Sequence, residues 1–224
     1  MLLRHRQVAI GTACAFLLSG MMLASRGANL PHSSQEGPVA EKLIDDGHYR
    51  RAQPLVEAAL NRHPQDTVAL INLSTIQYAF GQLDASIATA EKAVLAEDGS
   101  AATHAQLLNA LGAKLASPRL GMMEKMGTAR RFHKEAERTL DLDPKNLYAL
   151  EAISRFYWYA PAMGGGDKGR AMQTVSQLMQ MDPVRGYALK AELDATGTDR
   201  NKAITAVQSD WKQAVAARPD SYSA

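Results

Sequence analysis

The sequence of 224 residues predicts an all-α fold, a superhelix of about five helix-turn-helix pairs. Three observations predict it. Hydrophobic residues make up 46% of the chain but aromatic residues only 6%, with alanine abundant throughout. That mix suits helices packed through small side chains better than a sheet rich in β-branched and aromatic residues. Gly47 and Gly81 stand 34 residues apart, each between two apolar-periodic segments, which is the period of a helical repeat. Later segments also end alike, in "TLDLDPKN" around Pro144, "LMQMDPVR" around Pro183 and "AVAARPD" around Pro219; a proline just past a helix cannot continue it.

The N-terminal residues 1–27 read as a bacterial signal peptide or an N-terminal membrane anchor. MLLRHR is short and basic, Gln7 to Ala24 carry no charge, and Ser25 and Gly27 supply small residues around Arg26. Cleavage after Gly27 fits the small-residue rule, yet the 18 uncharged residues also reach the lower edge of a membrane-spanning length. Both readings stay open. The expected location is periplasmic or secreted, with tethering to the inner membrane if the segment is kept. Cys14, the one cysteine, lies inside that run, so a cleaved chain has no disulfide, thiolate metal site or cysteine nucleophile. Of the 25 basic residues, Arg4, Arg6 and Arg26 precede residue 28, which leaves 22 against 23 acidic ones. Such a neutral body argues against nucleic-acid binding through bulk charge.

Residues 28–37 read as a linker and 38–220 as the repeat domain. Aligned on the two glycines, Ala59 matches Ala93, Leu60 matches Val94 and Pro64 matches Asp98. Alanine at a helix crossing permits close approach, and glycine permits the tight turn between two helices. The third unit contains a long connection, SPRLGMMEKM, with Pro118 and Gly121 as breakers. The fourth has an excess at YAPAMGGGDKGRA, and the second helix of the fifth runs about one turn longer than the repeat requires. No polar capping helix follows Pro219.

These segments resemble the tetratricopeptide repeat family, through Leu70, Leu73, Ser74, Gly81, Ile87 and Ala93 in the second unit and Leu150, Ile153, Tyr157, Ala171 and Pro183 in the fourth. The resemblance implies antiparallel helix pairs stacked into a right-handed superhelix, since no single pair buries its own face. It also implies a concave groove lined by the first helix of each pair. The long third turn, the glycine insertion and the Asp-Pro closures look similar to a branch of exported bacterial repeat proteins. A repeat fold says nothing about the identity of a partner.

The groove residues follow from phase. With Leu150, Ile153 and Tyr157 as core, Tyr148, Glu151, Arg155 and Trp158 point toward the groove; the same phase in the second unit gives Ile71, Thr75 and Tyr78. Tyr78, Tyr148, Glu151, Arg155 and Trp158 are therefore the candidate partner-binding residues, a mixture that suits peptide recognition. The competing reading packs Trp158 and Tyr159 beneath the insertion 160–170.

Chemistry is harder to find. In the stretch from Gly164 to Arg170, the residues Gly165, Gly166, Lys168 and Arg170 are candidate anion-binding residues, because a glycine loop before a helix exposes backbone N–H groups. The phosphate-loop pattern is missing its preceding strand and its Ser or Thr, so the plainer reading is an enlarged turn with Asp167 as helix cap. His5, His32, His48, His63, His104 and His133 are scattered without i,i+4 pairing or a recurrent acidic partner. Asp45, Asp46, Glu135 and Glu137 read as solvated helix faces. No catalytic residue, metal or cofactor is expected. The expected function is a non-catalytic protein–protein interaction scaffold of the cell envelope. The alternative is a small-ligand or anion module using residues 164–170, which should show a closed pocket lined by Arg155, Trp158 and Lys168. Nucleic acid is not an expected partner, and membrane contact is expected only through an uncleaved N-terminal segment.

Overall fold

The computed structural model describes residues 33–196 and 200–217; the expected signal or anchor and the segment around Pro219 lie outside the described residues. Ten α-helices make up the described residues, and no strand occurs among them: α1 (Ser33–Asp45), α2 (Tyr49–Arg62), α3 (Thr67–Ala79), α4 (Leu83–Ala96), α5 (Ala101–Leu115), α6 (Met122–Leu142), α7 (Leu147–Tyr159), α8 (Lys168–Met181), α9 (Pro183–Asp194) and α10 (Arg200–Ala217). They pack as five adjacent pairs, each connected to the next. The odd-numbered helices also touch one another in series, whereas no contact links successive even-numbered helices. One layer is thus tight and the other splayed, which is how stacked pairs curve.

Local signals place the helix ends. Asp66, Asn146, Asp167 and Asp182 each accept backbone amides of the helix they precede, satisfying donors that lack a partner within the helix. Gly47 and Gly81 adopt φ of 75° and 73°, a left-handed conformation open to glycine at little cost. Asp182 closes α8 and caps α9, so Pro183 starts a helix as well as ending one.

Two boundaries differ from expectation. Residues 33–37, expected as linker, form the start of α1. Of SPRLGMMEKM, only the part up to Gly121 is turn; Met122 to Met126 are helical and lengthen α6 to 21 residues. Methionine, glutamate and lysine favour helix once Pro118 and Gly121 are passed. The long last helix does occur: α10 has 18 residues against 14 in α4.

The core follows small residues, though not always the expected alanines. Ala93 is fully buried, while its repeat partner Ala59 is only half-buried. At the crossing of α3 with α4 stand two serines. Ser74 Oγ donates to the Ser86 carbonyl and Ser86 Oγ to the Ser74 carbonyl, both at 2.9 Å. Gln106 Nε2 of α5 adds a donor to Ser74 Oγ at 2.8 Å. A buried network of this kind fixes one crossing because every polar group in it is matched. No helix among the described residues is long and apolar enough to cross a membrane.

Candidate functional site

The N-cap positions Asp66, Ser100 and Asn146 open α3, α5 and α7 and set a common register. Counted from them, Val68, Ile71, Thr75 and Tyr78 of α3 correspond to Ala102, Ala105, Asn109 and Gly112 of α5, and to Tyr148, Glu151, Arg155 and Trp158 of α7. All twelve are at least partly exposed, while the opposite sides of these helices are buried. The face chosen by phase therefore runs along three helices that touch in series. Its middle helix carries only small side chains, so α3 and α7 flank a recess above α5.

Tyr148 lies across that recess. Its hydroxyl donates to Asn109 Oδ1 at 3.3 Å, and a Cβ added at Gly112 would stand 3.6 Å from the hydroxyl oxygen. Burial, helped by the nearby Tyr78, pushes the Tyr148 phenol up to about 12, because a buried phenolate loses its hydration.

Beside the recess the charges are already paired. Arg155 Nε and Nη2 grip Glu192 of α9, with Nη2 at 2.8 Å from Oε2, and Nη1 reaches Glu151 at 3.3 Å. Arg185 Nη1 donates to the other Glu151 oxygen at 3.4 Å. Glu192 above all holds Arg155 above its ordinary pKa. This ladder of two arginines and two glutamates ties α7 to α9 and has no net charge.

Trp158 leans toward the packing reading. It lies against two core clusters, its Nε1 donates to Thr196 Oγ1 at 2.9 Å, and the Lys168 ammonium sits 4.7 Å from its ring centroid. Tyr159, paired with it in that reading, is exposed instead.

The glycine insertion uses its own donors. The amides of Gly165 and Gly166 go to the Ala162 and Pro161 carbonyls, and that of Asp167 to the Tyr157 carbonyl. Asp167 Oδ1 accepts from the amides of Gly169 and Arg170, the expected cap. Arg170 covers the Tyr157 ring at 4.2 Å. A carboxylate therefore occupies the helix N-terminus where an anion would bind. The cleft nearest this region, about 480 Å³, lies between α6 and α8 and is lined by Glu137, Asp141, Tyr157, Arg170 and Gln173 among others. It does not contain the expected Arg155, Trp158 and Lys168 lining.

Sequence reasoning missed the role of Glu135. Rather than a solvated face, it is a mostly buried partner of His104, whose Nδ1 lies 2.7 Å from Glu135 Oε2 and whose Nε2 lies 2.9 Å from the Asp98 carbonyl. The pair spans 31 residues between α5 and α6, a separation no local spacing rule detects. Among the described residues, no group of three or more His, Cys, Asp or Glu is arranged to hold a metal.

Residues 43–111 match the family model for the tetratricopeptide repeat. No curated protein matches the sequence. Among solved structures, the chain is similar to TTC0263, a thermophilic TPR protein of Thermus thermophilus, with 18% identity and a TM-score of 0.66 over 84% of this chain and 92% of that one. It is also similar to YrrB, a TPR protein with an unusual peptide-binding site, at 14% identity and a TM-score of 0.54 over 84% and 87%. Human IFIT1, solved as a dimer with PPP-AAAA, gives 17% and 0.67 over 84% of this chain but 42% of its own length. At such identities the likeness is one of fold, and it covers helix pairs beyond the matched segment. Residues 43–111 thus carry the tetratricopeptide repeat pattern, and the later pairs repeat the same helix-pair architecture as these solved structures.

Proposed function

We propose that this protein is a non-catalytic interaction scaffold of the bacterial cell envelope that holds a peptide or protein segment on the face formed by α3, α5 and α7. The observation that carries this reading is the small-residue recess of Ala102, Ala105 and Gly112 between Tyr78 and Tyr148. A bulky apolar side chain laid into it meets an aromatic ring on either flank, and the Asn109 amide lies alongside for a backbone group. Aromatic rims around a small floor concentrate binding energy. The ladder beside the recess contributes no net charge, so an apolar anchor rather than a charged one sets affinity. The face gathers aromatic, amide and paired ionic groups, a set suited to recognition rather than bond-making. The uncharged run from Gln7 to Ala24 supports the envelope location.

A photo-crosslinking phenylalanine analogue at Ala105 tests the reading. Irradiated envelope fractions should yield a partner adduct from that position and none from the same analogue at Gln173, on the other layer. Ala105→Trp, which fills the recess, should abolish pull-down of that partner while helix content is retained. Equal capture from Ala105 and Gln173 would overturn the proposal.

A further inference from the structure

Antiparallel pairs stacked in series bring their inner turns to one edge, so residues 116–121 of the third pair and 160–167 of the fourth are neighbours along that edge. Both turns are enlarged, and both carry unpacked apolar side chains. The first six residues of α6, 122–127, are all exposed. Met122, Met123 and Met126 expose 74%, 82% and 47% of their surface, and Met163 of the next turn 99%. Tyr159 is also exposed there. Monomeric soluble proteins rarely gather apolar side chains in this way without a contact to make.

The charges at this edge have one sign left over. Arg119 and Lys125 are exposed and form no ion pair among the described residues. Glu124 and Asp84 share the one Lys114 ammonium, at 2.6 and 2.7 Å, and Asp167 caps α8 beside Lys168 and Arg170, so five cations here face three carboxylates. The opposite edge differs. Its turns are short and carry the capping Asp66, Asn146 and Asp182, and its most exposed apolar side chain is Leu95 alone at 86%.

We propose that the edge formed by the third and fourth inner turns docks on an anionic lipid surface. Met122, Met123, Met126 and Met163 enter the boundary between headgroups and acyl chains, and Arg119 and Lys125 meet lipid phosphates. Long unbranched side chains projecting from an edge fit a deformable surface, whereas a protein partner fits the recess on the other helices. The two cations complement anionic headgroups. The 18-residue uncharged run from Gln7 to Ala24, read above as directing this chain to the cell envelope, would put a lipid surface within its reach. This contact is additional to that N-terminal segment, and it does not depend on the groove.

The test uses the full chain with Leu17→Arg and Leu18→Arg, so that the N-terminal run cannot insert. Sedimentation with phosphatidylglycerol–phosphatidylethanolamine vesicles should exceed that with phosphatidylcholine vesicles by about tenfold and decline with salt. Replacing Met122, Met123, Met126 and Met163 together by Gln should weaken binding about tenfold or more at unchanged helix content, because these side chains are half to fully exposed. Arg119→Glu with Lys125→Glu should do the same. Absence of binding to anionic vesicles, or full binding by the glutamine variant, would overturn the proposal. Loss of partner capture at Ala105 would leave it standing, so the two readings fail separately.

Discussion

The second helix pair, α3 with α4, and the fourth, α7 with α8, start from the same local code and finish differently. Asp66 and Asn146 each accept the amide three residues on at 3.0 Å. Leu70 and Leu150 are then buried at one register, and Ser74 and Ser154 are fully buried at the next. The divergence begins at the crossing. In the second pair Ser86 answers Ser74 with reciprocal hydrogen bonds, and Gly81 turns the chain tightly. In the fourth pair Ala171 stands at the register of Ser86, Ser154 returns its hydroxyl to the Leu150 carbonyl of its own helix, and residues 160–167 replace the tight turn. A polar crossing and a short turn can therefore be exchanged for an apolar crossing and a long turn. The long turn must then be fastened by its own contacts. The fastening lies at Gly166, whose amide is bonded to Pro161 and whose Cα passes the Ala160 carbonyl.

The largest expected effect breaks that fastening. A Cβ at Gly166 would lie 1.8 Å from the Ala160 carbonyl oxygen, which is backbone and has little room to move. Gly166→Ala should cost on the order of 3 kcal/mol or more. Gly81→Ala in the second pair meets no atom within 4 Å and suffers only its φ of 73°, about 1 kcal/mol. Urea denaturation of the two variants compares the turns directly. Equal costs would show that the long turn is not fastened where the close approach occurs.

Next comes the outermost groove position, Tyr78 in the second pair and Trp158 in the fourth. Trp158 packs on two clusters and donates to Thr196, whereas Tyr78 is exposed. Trp158→Ala should cost roughly 2–4 kcal/mol and lower the melting temperature; Tyr78→Ala should cost about 0.5 kcal/mol or less. A partner contact would show the reverse order, with Tyr78→Ala losing capture at full stability. Thermal melts of both variants beside the Ala105 crosslink separate packing from recognition. If Trp158→Ala melts like the parent, the indole is not a structural support of the fourth pair.

These contrasts show why the sequence was readable in part. The helix pairs are written in local terms: Gly47 and Gly81 at equal phase, prolines after Asp, and apolar residues every third or fourth position. The exposed face of α7 was legible for the same reason, since a 3.6-residue period places Tyr148, Glu151 and Arg155 on one side whatever they touch. What they touch was not legible. The Arg155 partner Glu192 is 37 residues away, and the His104 partner Glu135 is 31 away, across helix junctions that no local pattern specifies. The recess was missed for a different reason. It consists of residues too small to attract notice, Ala102, Ala105 and Gly112, and matters only because α3 and α7 rise on both sides. The start of α6 was missed through weighting the breakers Pro118 and Gly121 over the helix formers that follow them.

The smallest effect sharpens the electrostatic side of the same comparison. Every tyrosine of α7 is held above its ordinary pKa: Tyr148 reaches about 12, and burial raises Tyr157 and Tyr159 as well. For a group whose folded pKa is raised, the stability it contributes is complete below its unfolded value, here 10.0, and is lost as pH climbs through the folded value. Between pH 10 and about 12 an unfolded chain gives up the Tyr148 proton that the folded chain retains, so stability should fall across that window. Lys114 and Lys190 are also raised and drive the same alkaline loss, which makes the decisive measurement a difference rather than a slope. Tyr148→Phe removes one ionisable group from the set and, with it, one 3.3 Å hydrogen bond to Asn109. Below pH 10 it should lie slightly under the parent in urea midpoint, by about 0.5–1 kcal/mol at most. Toward pH 12 the gap should close or reverse, because the variant has no phenol to ionise at that position. A gap that stays constant through the window would mean that the Tyr148 hydroxyl is as well solvated in the fold as in the unfolded chain, and that Tyr148 does not lie across the recess above α5.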